Sequence, residues 1–78
     1  MLRVEAYVDL GRHLEAIDDL DQVIEISGGD VRAYASRALA YANVEQDVQA
    51  REDADRAVNM GADRAAIDRA LEEIKQRR

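Results

Sequence analysis

The side chains most suited to chemistry are two groups of carboxylates, Asp18, Asp19, Asp21 and Glu25, then Glu52, Asp53 and Asp55. Carboxylates that converge hold Ca²⁺ or Mg²⁺. A calcium loop, however, needs ligands at alternate positions around a glycine turn, and Asp19-Leu20-Asp21 has neither the third ligand nor the glycine. Asp18, Asp21 and Glu25 recur instead at i, i+3, i+7, the spacing of one helix face. Both groups are therefore expected to be solvated helix faces, with no metal site. His13 follows Gly11 with no nucleophile or orienting acid evident beside it, and acid–base catalysis needs such a partner within hydrogen-bond reach. Tyr7, Tyr34 and Tyr41 offer rings on which bases can stack. Their acidic surroundings speak against that, and they are expected to be core residues. No catalytic residue and no cofactor is expected, and the chain reads as a non-enzyme.

Charge narrows the partners. Seventeen acidic residues against eleven basic ones give a net charge of -6 in 78 residues, which repels a phosphate backbone and an anionic membrane surface. No nucleic acid and no membrane is expected as a partner. No apolar run approaches the roughly 20 residues that span a bilayer, and no signal-peptide pattern is present, so the expected compartment is the cytoplasm. Cysteine is absent, which excludes disulfides and thiolate metal sites. Arginine carries all of the positive charge except Lys75, which reflects either a GC-rich gene or adaptation to high salt.

A chain this short must build its core from something repetitive or shared. Proline is absent and the glycines are Gly11, Gly28, Gly29 and Gly61, so nothing interrupts helix between them. Leu14, Ile17, Leu20 and Val23 or Ile24 recur at spacings of three and four, an amphipathic helix. Helices are expected at 2–10, 13–27, 30–44, 47–60 and 63–77. Asp30 and Asp63 stand at N-cap positions, Gly28 and Gly61 at helix exits, and Gly11 at a turn. The sequence also matches itself at an offset of 34. Arg3/Arg37, Tyr7/Tyr41, Ala16/Ala50, Asp19/Asp53 and Asp21/Asp55 are identical, and Leu10/Val44, Leu14/Val48, Ile24/Val58 and Ile26/Met60 match in type. A helix-turn-helix unit of 34 residues is used about twice.

On these residues the chain resembles the tetratricopeptide repeat family. Tyr34, Ala38 and Tyr41 fall on the family's aromatic, small and aromatic positions of the first helix, and Ala50 and Ala57 on the two alanines of the second, with Ala54 between them. The run Tyr7, Leu10, Gly11, Leu14, Ala16, Ile17, Leu20, Val23 repeats the later part of the unit. Ala62 replaces the usual proline, Glu45 the usual glycine of the second turn, and Asp47 a common aromatic. The resemblance implies an all-α fold of about five helices, antiparallel hairpins stacked as a short right-handed α-solenoid. It divides a single domain into a partial first repeat (1–29), a complete repeat (30–63) and a capping helix (64–78). Independently, alanines at Ala16, Ala50 and Ala57 allow helices to approach closely.

The ends differ. Ile67, Ala70, Leu71 and Ile74 form one apolar stripe on the last helix, while Asp68 and Lys75 stand where Tyr34 and Tyr41 do one period earlier, so its outer face is charged as in a cap. Leu2, Ala6 and Leu10 form an apolar stripe at the other end. That stripe reads either as a sign that the chain is a fragment or late start of a longer array, or as a self-association surface burying a second copy in a homodimer or spacer module, or as a short exposed stripe without a role. Members of the family act as scaffolds that grip a protein or peptide in a concave groove lined by first helices. The resemblance places Glu5, Val8 and Asp9, then Arg32, Ala35, Leu39, Ala42 and Asn43, then Arg69, Glu73, Gln76 and Arg77 along that groove. The lysine and asparagine clamp of chaperone-tail adaptors is missing, since Glu5 and Asp9 carry the opposite sign.

Overall fold

The computed structural model describes residues 2–77, with side chains described over 11–77. It is all-helical, 85% of the chain being helix with no strand among the described residues. The described residues form four helices, α1 (Leu2–Ser27), α2 (Val31–Asn43), α3 (Asp47–Asn59) and α4 (Arg64–Arg77). Three of the expected helices appear nearly as placed. The expected pair at 2–10 and 13–27 is one continuous helix, and Gly11 lies inside it rather than at a turn. One glycine in a helix interior costs only about 1 kcal/mol relative to alanine, which the helix-favouring residues on either side outweigh. At about 1.5 Å per residue the 26 residues of α1 run about 39 Å, matching the 40 Å long axis of the molecule.

Each boundary has a local cause. The Asp30 carboxylate accepts the Ala33 N–H at 2.8 Å, and Asp63 accepts the Ala65 N–H at 3.0 Å, so both caps form as expected. α1 leaves through Gly28, whose N–H donates to the Ile24 carbonyl at 2.8 Å. α3 ends in a Schellman motif: Gly61 N–H donates to the Val58 carbonyl at 2.9 Å and Ala62 N–H to the Ala57 carbonyl at 3.0 Å. α2 ends the same way, with Glu45 N–H on the Ala42 carbonyl at 3.2 Å and Gln46 N–H on the Tyr41 carbonyl at 2.9 Å. Glu45 stands in the left-handed region at φ 63°, where the resemblance places glycine. A side chain at such a φ is disfavoured by contact between Cβ and the backbone. Glu45→Gly is expected to stabilise the fold by about 0.5–1 kcal/mol after glycine's extra entropy in the unfolded chain is subtracted, seen as a higher urea midpoint.

α2 is the hub: it packs against α1, α3 and α4, while α1 packs against α2 alone among the described residues. Small side chains make this possible. Ala33, Ala38, Ala40 and Ala42 of α2 and Ala50, Ala54 and Ala57 of α3 are all buried. Ala42 and Ala50 meet Ile74 of α4, with Leu39, Tyr41 and Leu71 packed around them. Ala16 is half-buried, so its place in a tight helix crossing is not matched as those of Ala50 and Ala57 are. Ala50→Leu is expected to lower stability by about 1–3 kcal/mol through overpacking, read from a thermal melt. The apolar stripe of α4 turns inward, with Ile74 buried and Ile67, Ala70 and Leu71 half-buried, while Asp68 and Lys75 are exposed.

Candidate functional site

The polar centre of the molecule is an ion cluster where three helices meet. Asp53 of α3 is 1% exposed and is the largest fully buried side chain among the described residues. It is held by Arg37 of α2 in a fork: Arg37 Nε donates to Asp53 Oδ2 at 2.7 Å and Nη2 to Oδ1 at 2.8 Å. The third guanidinium nitrogen, Nη1, donates to Asp21 Oδ1 on α1 at 2.6 Å. Arg56, one helical turn beyond Asp53, donates from Nη1 to Asp53 Oδ1 at 3.0 Å. Two acids and two arginines balance in charge, and no buried side-chain nitrogen or oxygen among the described residues lacks a partner. A buried carboxylate persists only when paired and hydrogen-bonded in this way.

Aromatic rings complete the cluster. The Arg37 guanidinium carbon lies 5.7 Å from the Tyr34 ring centroid and 5.8 Å from that of Tyr41, and Arg56 lies 5.9 Å from Tyr34. These are cation–π distances. The hydrogen bonds that Arg37 donates to Asp53 hold its guanidinium in the charged form against the opposing effect of burial. Burial is also the main cause that pushes the Tyr41 phenol above its usual value, with the Asp21 charge adding to it. The consequence for stability has a definite sign. Below pH 10 folded and unfolded chains both keep the proton and stability is full. Above it the unfolded chain ionises first, so stability falls as pH rises until the folded phenol ionises too. In a Tyr7→Phe, Tyr34→Phe variant, the 295 nm phenolate signal of the folded protein is expected at higher pH than in urea. Coincident curves would show a fully hydrated Tyr41.

The cluster corrects the expectation that both acidic groups are solvated helix faces. Asp18, Asp19 and Glu25 are exposed and Glu52 likewise, but Asp21 is half-buried and bonded to Arg37, and Asp53 is interior. Asp55 binds Arg64 at the surface at 2.9 Å. Helical spacing within one element cannot reveal a partner 16 residues away across a turn. A signal was nonetheless present, because Arg37 and Asp53 are both among the identities at offset 34. Among the described residues no three His, Cys, Asp or Glu side chains converge as a metal-ligand group, and none of their helices is long and apolar enough to cross a membrane.

The expected groove residues fall in two sets. On α2, Arg32 is exposed and Ala35, Leu39 and Asn43 are half-buried, with the Asn43 amide donating to the Leu39 carbonyl at 2.9 Å. Ala42 belongs to the core rather than to a groove. On α4, Arg69, Glu73, Gln76 and Arg77 are exposed. The side chains of Glu5, Val8 and Asp9, and of the Leu2, Ala6 and Leu10 stripe, lie outside the described residues, as does that of Tyr7.

Fold and cluster together define a small all-α protein pinned at its centre by ion pairs. Comparison with known proteins finds no match: no family model fits the sequence, and neither a curated protein nor a solved structure matches the chain.

Proposed function

We propose that the chain is a non-enzymatic protein–protein interaction scaffold of the tetratricopeptide type, its hairpins stacked as a short right-handed α-solenoid that binds a peptide or partner segment. What carries the reading is the position of α4, which packs chiefly on α2 and only lightly on α3. First helices of successive units then lie side by side and leave one continuous face. Along it Leu39 and Ala35 supply half-covered apolar surface, and Arg32, Arg69 and Arg77 are exposed cations suited to a carboxylate on a partner. The ion cluster supports the same reading from the other side. Its arginines are committed to internal carboxylates and hold the hairpin rigid, which lowers the ordering cost of binding.

The test is selection of binders from a random peptide library on the folded protein, followed by titration calorimetry of the enriched peptides. Arg69→Ala with Arg77→Ala, both exposed positions, is expected to weaken binding about tenfold or more, the scale of one or two charge-assisted contacts. Peptides that bind the variant equally well, or a library that yields none, overturn the groove.

A further inference from the structure

We propose that the C-terminal half of α1 is a second docking surface, an apolar hollow edged by carboxylates, and that its occupant is an amphipathic helix of a partner protein with lysines or arginines bordering an apolar stripe. The inference is independent of the groove, whose exposed cations stand on α2 and α4. Asp19, Gln22, Val23 and Ile26 fall at i, i+3, i+4, i+7 on one face of α1, and with Ser27 they line an open hollow of about 420 Å³. Ile26 is 86% exposed, more than any other large apolar side chain among the described residues, and Val23 is 47% exposed. Branched residues are weaker helix formers than alanine or leucine. Facing water, these two lose helix propensity and gain no burial. The fold leaves them uncovered, since α1 turns Ile17 inward and packs against α2 alone among the described residues.

Charge identifies the occupant. From Leu14 to Ser27 α1 carries Glu15, Asp18, Asp19, Asp21 and Glu25 and no lysine or arginine. Asp21 is committed to Arg37. The other four are exposed, and none of them makes an ion pair among the described residues. Like charges three and four apart on a helix repel, as Glu15 does Asp18 and Asp19. Glu25 lies near the negative end of the helix dipole, in a last turn without a basic residue. Exposed acids elsewhere have cations beside them: Asp55 binds Arg64 at 2.9 Å and Asp68 stands 4.0 Å from the same guanidinium. The free α1 face thus holds repulsion that cations from outside relieve. Its apolar part sets the occupant's shape, because a ridge of side chains on one helix seats in the groove between rows on another. A second copy fits poorly. The chain carries a net charge of -6, and the apolar stripe of its helix richest in cations, α4, turns inward.

The probe is a synthetic helical peptide of about 18 residues with leucine at i, i+3, i+4 and i+7 and lysine on either side of that stripe. Titration calorimetry against the folded protein is expected to show one-to-one binding that weakens as salt rises, with NMR amide shifts concentrated in residues 15–27. Val23→Ser with Ile26→Ser, and separately Glu15→Lys with Asp19→Lys, are each expected to weaken it about tenfold or more. All four positions are exposed, and unchanged far-ultraviolet circular dichroism confirms the fold of each variant. Glu52→Lys with Glu72→Lys makes the same change in net charge at exposed positions on α3 and α4, and is expected to alter affinity less than about threefold. An equal loss in that control would reduce the effect to overall charge and overturns the proposal. So does equal binding by a peptide of the same composition with its leucines scattered around the helix, and so does no binding at all. A dimer of the protein alone that Ile26→Ser dissociates gives the face to a second copy and equally overturns the assignment.

Discussion

Asp53→Ala is expected to destabilise the fold by about 3–5 kcal/mol, the cost of stranding a buried charge whose partner has been removed. For a domain of this size total stability is about 4–12 kcal/mol at the usual per-residue scale, so the variant stands at the edge of unfolding at room temperature. The reasoning is local. Arg37 has a side chain only 13% exposed and loses two of its three hydrogen bonds, keeping Asp21 alone. Arg56 loses its carboxylate as well but is half in solvent and recovers water. Urea denaturation followed by far-ultraviolet circular dichroism reads the loss directly. Asp55→Ala is the matched surface control, because the Asp55–Arg64 pair is about half exposed on both sides and water and salt screen it. A loss for Asp53→Ala no larger than that control would mean the cluster does not fasten the helices. Replacing both partners, Arg37→Met with Asp53→Leu, is expected to recover most of the loss, since apolar groups of similar volume do not strand a charge. A double-mutant cycle through Arg37→Met, Asp53→Leu and both together then isolates the pair's coupling.

Local chemistry in this chain is legible one residue at a time. Asp30 and Asp63 cap, Gly28 and Gly61 release their helices, and Ala38, Ala50 and Ala57 are buried, because each of these roles is set by residue type within a turn of helix. Glu45 shows the limit of that logic. Its place in the turn follows from the period, yet its left-handed backbone contradicts its residue type, and it sits within the Schellman bonds that close α2. Gly11 shows the opposite failure, a residue type suited to a turn that sits within a continuous helix. Asp53 was obscured for a third reason. Charge density along a helix reports which residues repel apolar neighbours, but burial of a carboxylate depends on a donor from another element. That donor, Arg37, is invisible to periodicity and visible only in the co-repetition of Arg3 with Asp19 and Arg37 with Asp53.

The α1–α2 connection carries the second large effect, at Gly29. Its φ of 76° lies in the left-handed region, and a Cβ built there would stand 2.7 Å from Cε2 and 2.9 Å from Cζ of Tyr34. Gly29→Ala therefore meets two penalties at once. Backbone strain alone costs about 1–3 kcal/mol, and the Tyr34 ring must also move. That ring has the Arg37 and Arg56 guanidiniums near its face, so displacing it disturbs the contacts around the buried carboxylate. Gly28→Ala separates the two penalties, because Gly28 has a similar φ of 82° but nothing within 4 Å of its Cβ position. Gly29→Ala is expected to lose about 1 kcal/mol or more beyond Gly28→Ala, an off-rotamer ring costing on that order. Equal losses would show that Tyr34 yields freely and takes no part in holding Arg37 in place. A Tyr34→Ala background removes the obstructing ring, and there the two glycine substitutions are expected to converge. Convergence ties the tight loop at Gly29 to the ion cluster through one aromatic ring, so that the connection between the first two helices and the central ion pairs form a single mechanical unit.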